Sequence, residues 1–398
     1  MSTPTARLPP TLNANRRLDR WLNINADGTV TVRTGKVEIG QGIVSAMAQI
    51  AADELDVNYT RIRMVPVDTS LSPDEGSTTG SRSIEEGGSA LRQVCAEVRD
   101  LLLQTAARKL NAGLESLTVK DGTIRVRARP ESTTYWELAA EVNLAREATG
   151  QVSPKQASEL ELVGKPVPRL DIPRKLTGAA FVHDLEFPRM LHGRVLRPPS
   201  YRATLNSLDA TAVRAMPGVE AVVREGRFVG VVAAREEQAI KAVQALARSA
   251  VWGEHADLPD ADALPDFLRA QPAEDELLRE KSSASVRGGK TLVSTYTRPY
   301  LAHASIGPSC AIAWWRENRL EVWSHSQAIF TLRAELARTL QLDAANIVVR
   351  HAEGAGCYGH NGADDVALDA VLLARAVEER PVRLQWMRED EFGWEPFG

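Results

Sequence analysis

The sequence predicts an α+β protein built from three pieces. A strand, a glycine-rich loop and a helix follow one another near each end of the chain, with the loops at 38–42 and 354–359. Two connectors in which apolar periodicity fades, 145–162 and 257–272, separate the pieces. Strand and helix signals alternate within the pieces and no internal repeat is visible, so a mixed α+β architecture is the predicted class.

The first piece contains two strands and two helices. Alternating apolar and polar residues predict the strands at 29–37 and 61–67. Apolar residues at helical spacing predict the helices at 43–55 and 90–110. A hairpin around an Asp-Gly pair is predicted at 117–126.

In the second piece the sequence predicts short strands, at 193–196, 219–223 and 228–233, and helices near 210–216 and 236–249. In the last piece the sequence predicts the order strand, helix, strand, helix, strand, with strands at 320–323, 347–350 and 382–386. Nothing visible covers the last of these strands, so an apolar face near Trp386 and Trp394 is expected to be exposed.

Composition excludes several classes of function. The chain has 398 residues, 43% of them hydrophobic, and a net charge of −4, so no nucleic-acid partner is expected. It lacks an apolar run of the roughly 20 residues that span a bilayer. The pair Arg16-Arg17 is followed by polar residues rather than an export segment, so a cytoplasmic location is predicted.

Protein-bound metal sites are not predicted either. The three cysteines, Cys95, Cys310 and Cys357, stand far apart, which excludes an iron–sulfur cluster or a structural zinc site on this chain alone. The remaining candidates are histidines without the i, i+4 spacing of helical metal ligands, and each is interpreted as an ordinary hydrogen-bonded residue: His303, His325, His351 and His360.

The first glycine loop suits a phosphate-bearing or ring-shaped cofactor. Gly40 and Gly42 leave backbone N–H groups open to close approach, and the following helix adds its positive end. The Gln41 carboxamide has donors and an acceptor in the register of a pterin edge. The alternative for Gln41 is a solvated loop side chain.

Two further polar elements are candidates for the same ligand. Ser81, Arg82 and Ser83 lie in the loop 76–83 before a long helix, where they suit a pyrophosphate or form a flexible surface loop. Gln327 follows a strand and precedes a helix. Its amide either points toward a metal oxo group or satisfies backbone groups at the helix start.

The second glycine loop has more than one interpretation. The spacing Gly354-x-Gly356-x-x-Gly359 satisfies the dinucleotide fingerprint, which makes an NAD- or FAD-binding oxidoreductase the alternative function. The loop is the second rather than the first strand–helix turn of its unit, which argues against that alternative. A tight turn without a ligand is also open. Cys357 has no base evident in the sequence, so a covalent hydrolase is not predicted.

Together these motifs resemble the molybdenum-binding subunit of the xanthine dehydrogenase and aldehyde oxidase family, nearest to its nicotinate dehydrogenase and isoquinoline oxidoreductase branch. The segment 36–42 resembles the family's pterin loop, and 323–327 resembles its strand-end glutamine beside the molybdenum oxo group. Gly356, Cys357, Tyr358 and Gly359 take the place of a loop whose backbone amides face that oxo ligand. Residues 163–197, with Met216-Pro217-Gly218-Val219, resemble the α/β hammerhead domain.

The resemblance implies a domain order. It places an N-terminal molybdopterin-binding segment at 1–145, the hammerhead at 163–255 and the first part of the main cofactor-binding domain at 285–398. A pterin loop that precedes the hammerhead is similar to the isoquinoline and nicotinate branch. Cys357 and the pair His360-Asn361 depart from the residues usual in the second loop. The segment with the substrate-orienting arginine and the general-base glutamate is expected outside this chain, so the chain is not expected to be active alone.

The resemblance also implies chemistry and partners. The expected reaction is hydroxylation of an N-heteroaromatic compound or an aldehyde, with molybdenum–molybdopterin as cofactor and its cytosine dinucleotide form as one alternative. No protein atom is expected to bind the metal directly. The expected partners are a small subunit with [2Fe-2S] clusters, the remainder of the molybdenum subunit, and a cytochrome or another electron acceptor. A non-catalytic remnant or assembly chain is the further alternative.

Overall fold

The architecture comes from a computed structural model, which describes residues 8–178, 181–255, 258–281, 289–362, 366–377 and 379–395. The strands are β1 (Leu22–Ile24), β2 (Val30–Val32), β3 (Ile62–Met64), β4 (Leu117–Lys120), β5 (Thr123–Val126), β6 (Ser132–Thr134), β7 (Leu191–Leu196), β8 (Thr204–Leu208), β9 (Val219–Glu225), β10 (Phe228–Ala233), β11 (Ala250–Gly253), β12 (Cys310–Arg316), β13 (Arg319–Ser324), β14 (Ile347–His351) and β15 (Val382–Gln385).

The helices are α1 (Pro10–Ala14), α2 (Ile43–Leu55), α3 (Ser89–Leu110), α4 (Tyr135–Leu138), α5 (Ile172–Leu176), α6 (Thr211–Arg214), α7 (Glu236–Ser249), α8 (Leu264–Ala270), α9 (Ile329–Leu340), α10 (Val366–Ala374) and α11 (Arg388–Trp394). A π-helical turn, Ser83–Gly88, leads directly into α3. None of the helices among the described residues has the length and apolar character of a membrane span.

The predicted helices of the N-terminal piece are confirmed. Helix α2 has the predicted bounds, and α3 begins one residue earlier than predicted. The hairpin turn has Asp121 at φ 50° and Gly122 at φ 71°, as a two-residue hairpin turn requires. The strand predicted over 29–37 is shorter, because after β2 the chain leaves the sheet and Thr34 and Lys36 turn to bond Glu75.

One seven-stranded sheet organises the rest of the chain. Its order is β14-β13-β12-β15-β7-β10-β9. Strands β15 and β7 pair in parallel, with Val382 opposite Leu191, so the second and third predicted pieces share main-chain hydrogen bonds. The domain boundaries proposed from the sequence stay predictions.

Strand β12 is the main element that the sequence analysis missed. The order strand, helix, strand, helix, strand is confirmed from β13 to β15, but β12 precedes it and lies between those two strands in the sheet. Residues 310–313 are buried on both faces, so they lack the alternation that marks a half-buried strand. Antiparallel β12 separates strands that sequence order alone places side by side.

Helix α10 packs across the centre of this sheet. Leu373, at 0% exposure, lies against Gly193 of β7 and Gly230 of β10. A Cβ atom at either glycine would stand 2.6 Å from a Leu373 methyl carbon, so the glycines let the helix approach closely.

The apolar face expected near the last strand is not exposed, and that prediction is wrong. Trp386 is 1% exposed. Its indole N–H donates to Asp369 Oδ2 at 2.9 Å, and the Arg197 guanidinium lies 4.7 Å from its ring centroid. The Trp394 ring packs on Tyr201, with centroids 5.2 Å apart. Residues of the second predicted piece therefore cover the end of the third.

The predicted connector 145–162 is fastened to the first piece by buried acids. Asp53 on α2 accepts backbone N–H groups from Glu161, Leu162 and Val163 at 2.7–3.0 Å. Glu97 on α3 accepts those of Thr149 and Gly150 in the same way. Ala148 and Leu162 also pack on the apolar core, but backbone bonds to these acids, rather than a periodic apolar face, hold most of the connector.

We expect Leu373→Ala to lower the free energy of unfolding by about 2–5 kcal/mol, because the helix cannot settle further onto the glycines to fill the cavity. Leu176→Ala is the control, since Leu176 is 81% exposed and a surface change costs under about 0.5 kcal/mol. Urea unfolding of both variants measures the difference. Equal midpoints would contradict this account of how α10 packs.

Candidate functional site

The Gln327 carboxamide joins two of the predicted loops to the strand end on which it stands. Gln327 lies three residues after β13 and is 6% exposed. Its Nε2 donates to the Thr78 carbonyl at 2.8 Å, and the Thr78 N–H donates back to the Gln327 carbonyl at 2.9 Å. Its Oε1 accepts from Cys357 Sγ at 3.1 Å. The hydroxyl-rich loop and the second glycine loop therefore meet at one side chain.

The first glycine loop is joined to the same place through His351. The ring Nε2 lies 2.9 Å from the Glu38 carbonyl oxygen, and Nδ1 lies 3.3 Å from the Ser326 carbonyl oxygen. Burial lowers the pKa of His351, against the opposing effect of the two carbonyl oxygens. The structure thus brings all three sequence-predicted loops together at the ends of β13 and β14.

The Glu38 carboxylate occupies the start of α2, where the sequence predicts that a ligand binds. Its side chain is 3% exposed and accepts N–H groups from Gly40 and Gly42 at 2.9 Å and from Val44 at 3.2 Å. These are groups that a helix N-terminus offers to an anion. The glycine amides expected to face a cofactor are therefore engaged within the protein. An acid before a helix was the only signal for this role.

The Gln41 side chain is also closed onto its own loop. Its Nε2 donates to the Val37 carbonyl at 2.9 Å, and its Oε1 accepts from the Ile39 N–H at 2.7 Å. Gly40 and Gly42 hold φ values of 105° and 84°, which keep this loop tight. Pairing of Gln41 with a pterin edge requires these two hydrogen bonds to be exchanged, and it stays a prediction.

The hydroxyl-rich loop presents exposed donors. Ser81 and Arg82 are exposed and Ser83 is half-buried, directly before the turn into α3. Arg82 has a long ion pair, 3.7 Å from Glu86, with its side chain 67% exposed. Beneath the loop, the buried Lys36 ammonium donates to the Glu75 and Ser77 carbonyls at 2.8 and 3.2 Å. The loop has a fixed base and a solvated rim of hydroxyl and guanidinium groups.

The glycines of the second loop serve two purposes. Gly354 and Gly356 allow close packing, since a Cβ atom would stand 2.9 Å from His325 Nδ1 or 3.2 Å from the Ile306 nitrogen. Burial lowers the pKa of His325 to about 3, so this neighbour is neutral. Gly359 is open, with only His303 Nε2 at 4.0 Å among the described residues. Tyr358 beside it is 61% exposed.

This geometry does not favour the dinucleotide alternative. In a dinucleotide site the fingerprint glycines open a helix directly, so that its N-terminus faces the pyrophosphate. Here residues 360–362, directly after Gly359, are not helical, and Gly354 packs on a protein side chain. The spacing match at 354–359 therefore reflects packing and turn geometry.

A charged network that the sequence analysis missed supports the first loop. Arg169 forms two hydrogen bonds with the Asp171 carboxylate, donates to the Gly40 carbonyl at 3.2 Å and lies 3.8 Å from Glu38. Lys175 bridges Asp171 and Glu353 at 2.6 Å each. Arg169, Asp171 and Lys175 are local neighbours, but no motif marks them, because the groups that they join, Glu38, Gly40 and Glu353, lie far away in the chain.

Comparison with known proteins identifies the family. Two family models, both described as molybdopterin cofactor-binding domains, match residues 5–166 and 283–396. Over its whole length the chain is 39% identical to a nicotinate dehydrogenase subunit from Pseudomonas putida, of which it covers 34%. The chain belongs to the molybdenum-cofactor-binding subunits of the xanthine dehydrogenase family. The resemblance noted in the sequence is confirmed.

Further relatives of this molybdenum-cofactor-binding chain are similar at lower identity. It is 26% identical to the beta subunit of isoquinoline 1-oxidoreductase from Brevundimonas diminuta, over 95% of this chain and 55% of that protein. Quinoline 2-oxidoreductase from Pseudomonas putida 86 is a solved structure at 24% identity and a TM-score of 0.45, over 57% of this chain and 35% of that one. The chain spans between about a third and about half of the length of the relatives it matches.

We expect the contribution of Asp171 to stability to depend on pH. Hydrogen bonds from Arg169 and then Lys175 hold the pKa of Asp171 well below its usual value, against the opposing effect of burial. A lowered folded-state pKa means that the stabilisation is complete above the unfolded value of about 3.9 and is lost as pH falls through the folded value.

The matched comparison is Asp171→Asn against Asp266→Asn, an exposed aspartate paired with Arg269. Urea unfolding should show a constant deficit for Asp171→Asn between about pH 5 and 7 that narrows below about pH 4. Asp266→Asn should stay near the parent throughout. A deficit at Asp171 that is the same at every pH would show that the carboxylate charge is not what stabilises the loop.

Proposed function

We propose that this chain binds and orients the molybdenum–molybdopterin cofactor of a hydroxylase that acts on an N-heteroaromatic, nicotinate-like compound or an aldehyde. The observation that carries the proposal is the convergence of the three predicted loops on Gln327 and His351. The names of two relatives, nicotinate dehydrogenase and isoquinoline 1-oxidoreductase, support the heteroaromatic class. When bound, the cofactor supplies a two-electron acceptor and Lewis-acid centre.

The donor set fits the two ends of such a cofactor. Exposed Ser81 and Arg82, with Ser83 at the start of the helical run into α3, suit its phosphate end. At the other end Gln327, Cys357 and the open Gly359 stand together around the buried polar junction. The buried carbonyl oxygen Asn361 Oδ1 has no hydrogen-bond partner among the described residues, so the junction has acceptor capacity left for a donor group.

The residues have separate roles in this proposal. Gln327 holds the two loops at a fixed separation and presents a polar edge at the junction. Gly40, Gln41 and Gly42 form a closed turn that would hold the pterin end, with Glu38 fixing the shape of the turn. Gly356, Cys357, Tyr358 and Gly359 would offer backbone groups to the metal end. No group of this chain is assigned as the general base, which we propose lies on another segment of the protein.

The proposal includes the wider assembly. The segment around β7, β9 and β10 would form the α/β hammerhead domain. We propose that the partners are a cytochrome or similar acceptor and a small iron–sulfur subunit, since the cofactor must pass on its electrons. Arg82 would hold a phosphate of the cofactor, in its cytosine dinucleotide form as in the simpler one.

Arg82→Ala tests the phosphate end without disturbing the fold, because the side chain is 67% exposed and has a long ion pair. A charge-assisted hydrogen bond contributes about 1.5–3 kcal/mol, so cofactor should dissociate roughly 10- to 100-fold more readily from the variant. Arg235→Ala is the matched control, since Arg235 is 68% exposed and pairs with Glu237. Molybdenum and pterin content after dialysis of protein purified with its subunits is the measurement.

A wild-type protein that holds neither molybdenum nor pterin would contradict the proposed function. If both variants hold as much cofactor as the parent, the hydroxyl-rich loop is not part of the site, and the proposed site is limited to the junction at Gln327. Unfolding midpoints of both variants, measured in parallel, should match the parent, since both side chains are mostly solvated.

A further inference from the structure

A second cluster of potential ligands lies behind the second glycine loop. His303 precedes β12, His360 follows Gly359, and Glu395 follows α11, so three distant segments contribute one side chain each. One nitrogen of each histidine and one oxygen of the glutamate lie within 4.8 Å of one another. His303 Nδ1 and His360 Nδ1 both stand 3.8 Å from Glu395 Oε2. The spacing along the chain gave no hint of this arrangement.

Two of the atoms that face each other have no hydrogen-bond partner among the described residues. His303 Nδ1 and Glu395 Oε2 are both buried from solvent and lack such a bond. The other Glu395 oxygen accepts the His303 backbone N–H at 3.1 Å, which fixes the carboxylate so that Oε2 points to the ring nitrogens. At 3.8 Å an N–H···O bond is too long, whereas two ligands of one ion at about 2.1 Å each can stand that far apart.

His360 carries the support that metal-bound histidines usually have. Its Nδ1 lies 3.8 Å from Glu395 Oε2 and 3.3 Å from Ser305 Oγ, a hydroxyl partner that an ion would replace. Its Nε2 lies 3.2 Å from both Glu391 Oε1 and Ser309 Oγ. Glu391 is in turn fixed by the Ser309 N–H, which donates to its second oxygen at 2.7 Å. A carboxylate that accepts the far N–H of a ligating imidazole sets the ring's tautomer and orientation.

The charge of the cluster also favours a cation. The side chains of Glu391 and Glu395 are both 0% exposed, and the ion-pairing groups that the described part of the chain brings to them are the two histidines. Burying a carboxylate without a compensating charge is costly. A divalent ion would compensate both carboxylates and complete the bonding of His303 Nδ1 and Glu395 Oε2.

We propose that His303, His360 and Glu395 bind a divalent transition-metal ion of the zinc type, with Glu391 supporting His360. Two imidazoles and a carboxylate are a common ligand set for such an ion. The ion would fasten the glycine loop to the segment before β12 and to the end of α11. The proposal stands apart from the molybdenum cofactor, since none of these four side chains belongs to the junction at Gln327.

The test is a titration of chelator-treated protein, purified with its subunits, with Zn²⁺ by calorimetry and with Co²⁺ by visible absorption. We expect one site per chain and a rise in the unfolding temperature with added Zn²⁺. His303→Ala and Glu395→Gln should weaken binding by about 100-fold or more, and Glu391→Gln by about 10- to 100-fold. The control is His255→Ala, an exposed histidine outside the cluster.

Binding by the parent that is lost in the two ligand variants and kept in His255→Ala would support the site. No binding by the parent, or binding that the ligand variants leave unchanged, would overturn it. Circular dichroism of each variant shows whether it is folded, and the conservative His303→Gln replaces His303→Ala if that variant is not. Molybdenum and pterin are measured in the same samples, so a failure of the proposed cofactor function is seen separately.

Discussion

The hydrogen bonds of the Gln327 side chain are the constraint on which the candidate site depends. A single carboxamide donates to Thr78 and accepts from Cys357, while the Gln327 main chain pairs with Thr78 and Asn361. The residues that it joins are about 30 and 250 positions away along the chain. A buried amide with both ends satisfied is rigid, and one left unsatisfied is costly, so the two loops are held at a defined separation. Together with His351, this bonding makes a single site of loops that would otherwise be independent.

Buried carboxylates fix irregular segments at several places in this chain. Glu38, Asp53, Glu97 and Glu391 each accept backbone N–H groups from a segment that has no regular structure. Such bonds are charge-assisted and satisfy amides that no strand or helix partner reaches. They explain how a protein with long irregular loops fixes their shape, and why the start of α2 is already filled by a protein carboxylate.

The sequence was sufficient for the local elements and the motifs. Helices α2, α3, α7 and α9 were predictable because each has a periodic apolar face, and the three loops were recognisable from glycine and hydroxyl content. Strand β12 was not, since its buried run carries no alternation. The expectation of an exposed face near Trp386 was wrong, because Arg197 and Tyr201, which cover this end of the chain, belong to the second predicted piece.

The internal bonding of the site was beyond the sequence for a different reason. A glutamine or a glutamate in a loop has the same local signal whether it is solvated, bonded to its own turn or bonded across the fold. Gln41 and Gln327 illustrate this, since one closes its own loop and the other joins two distant ones. The same holds for His303 and His360, whose proximity depends on how β12 and α11 pack on the glycine loop. These roles depend on contacts between distant parts of the chain, and such contacts produce no alternation or spacing in the sequence.

The central claim is that the three loops joined at Gln327 and His351 form one cofactor site. Amide hydrogen exchange, compared between cofactor-loaded and cofactor-free protein purified with its subunits, tests this most directly. The account predicts that residues 38–44, 76–83 and 354–361 gain protection together on loading, while the hairpin 117–126 stays unchanged. Protection of only one of these loops, or of none of them in protein shown to hold molybdenum and pterin, would contradict it.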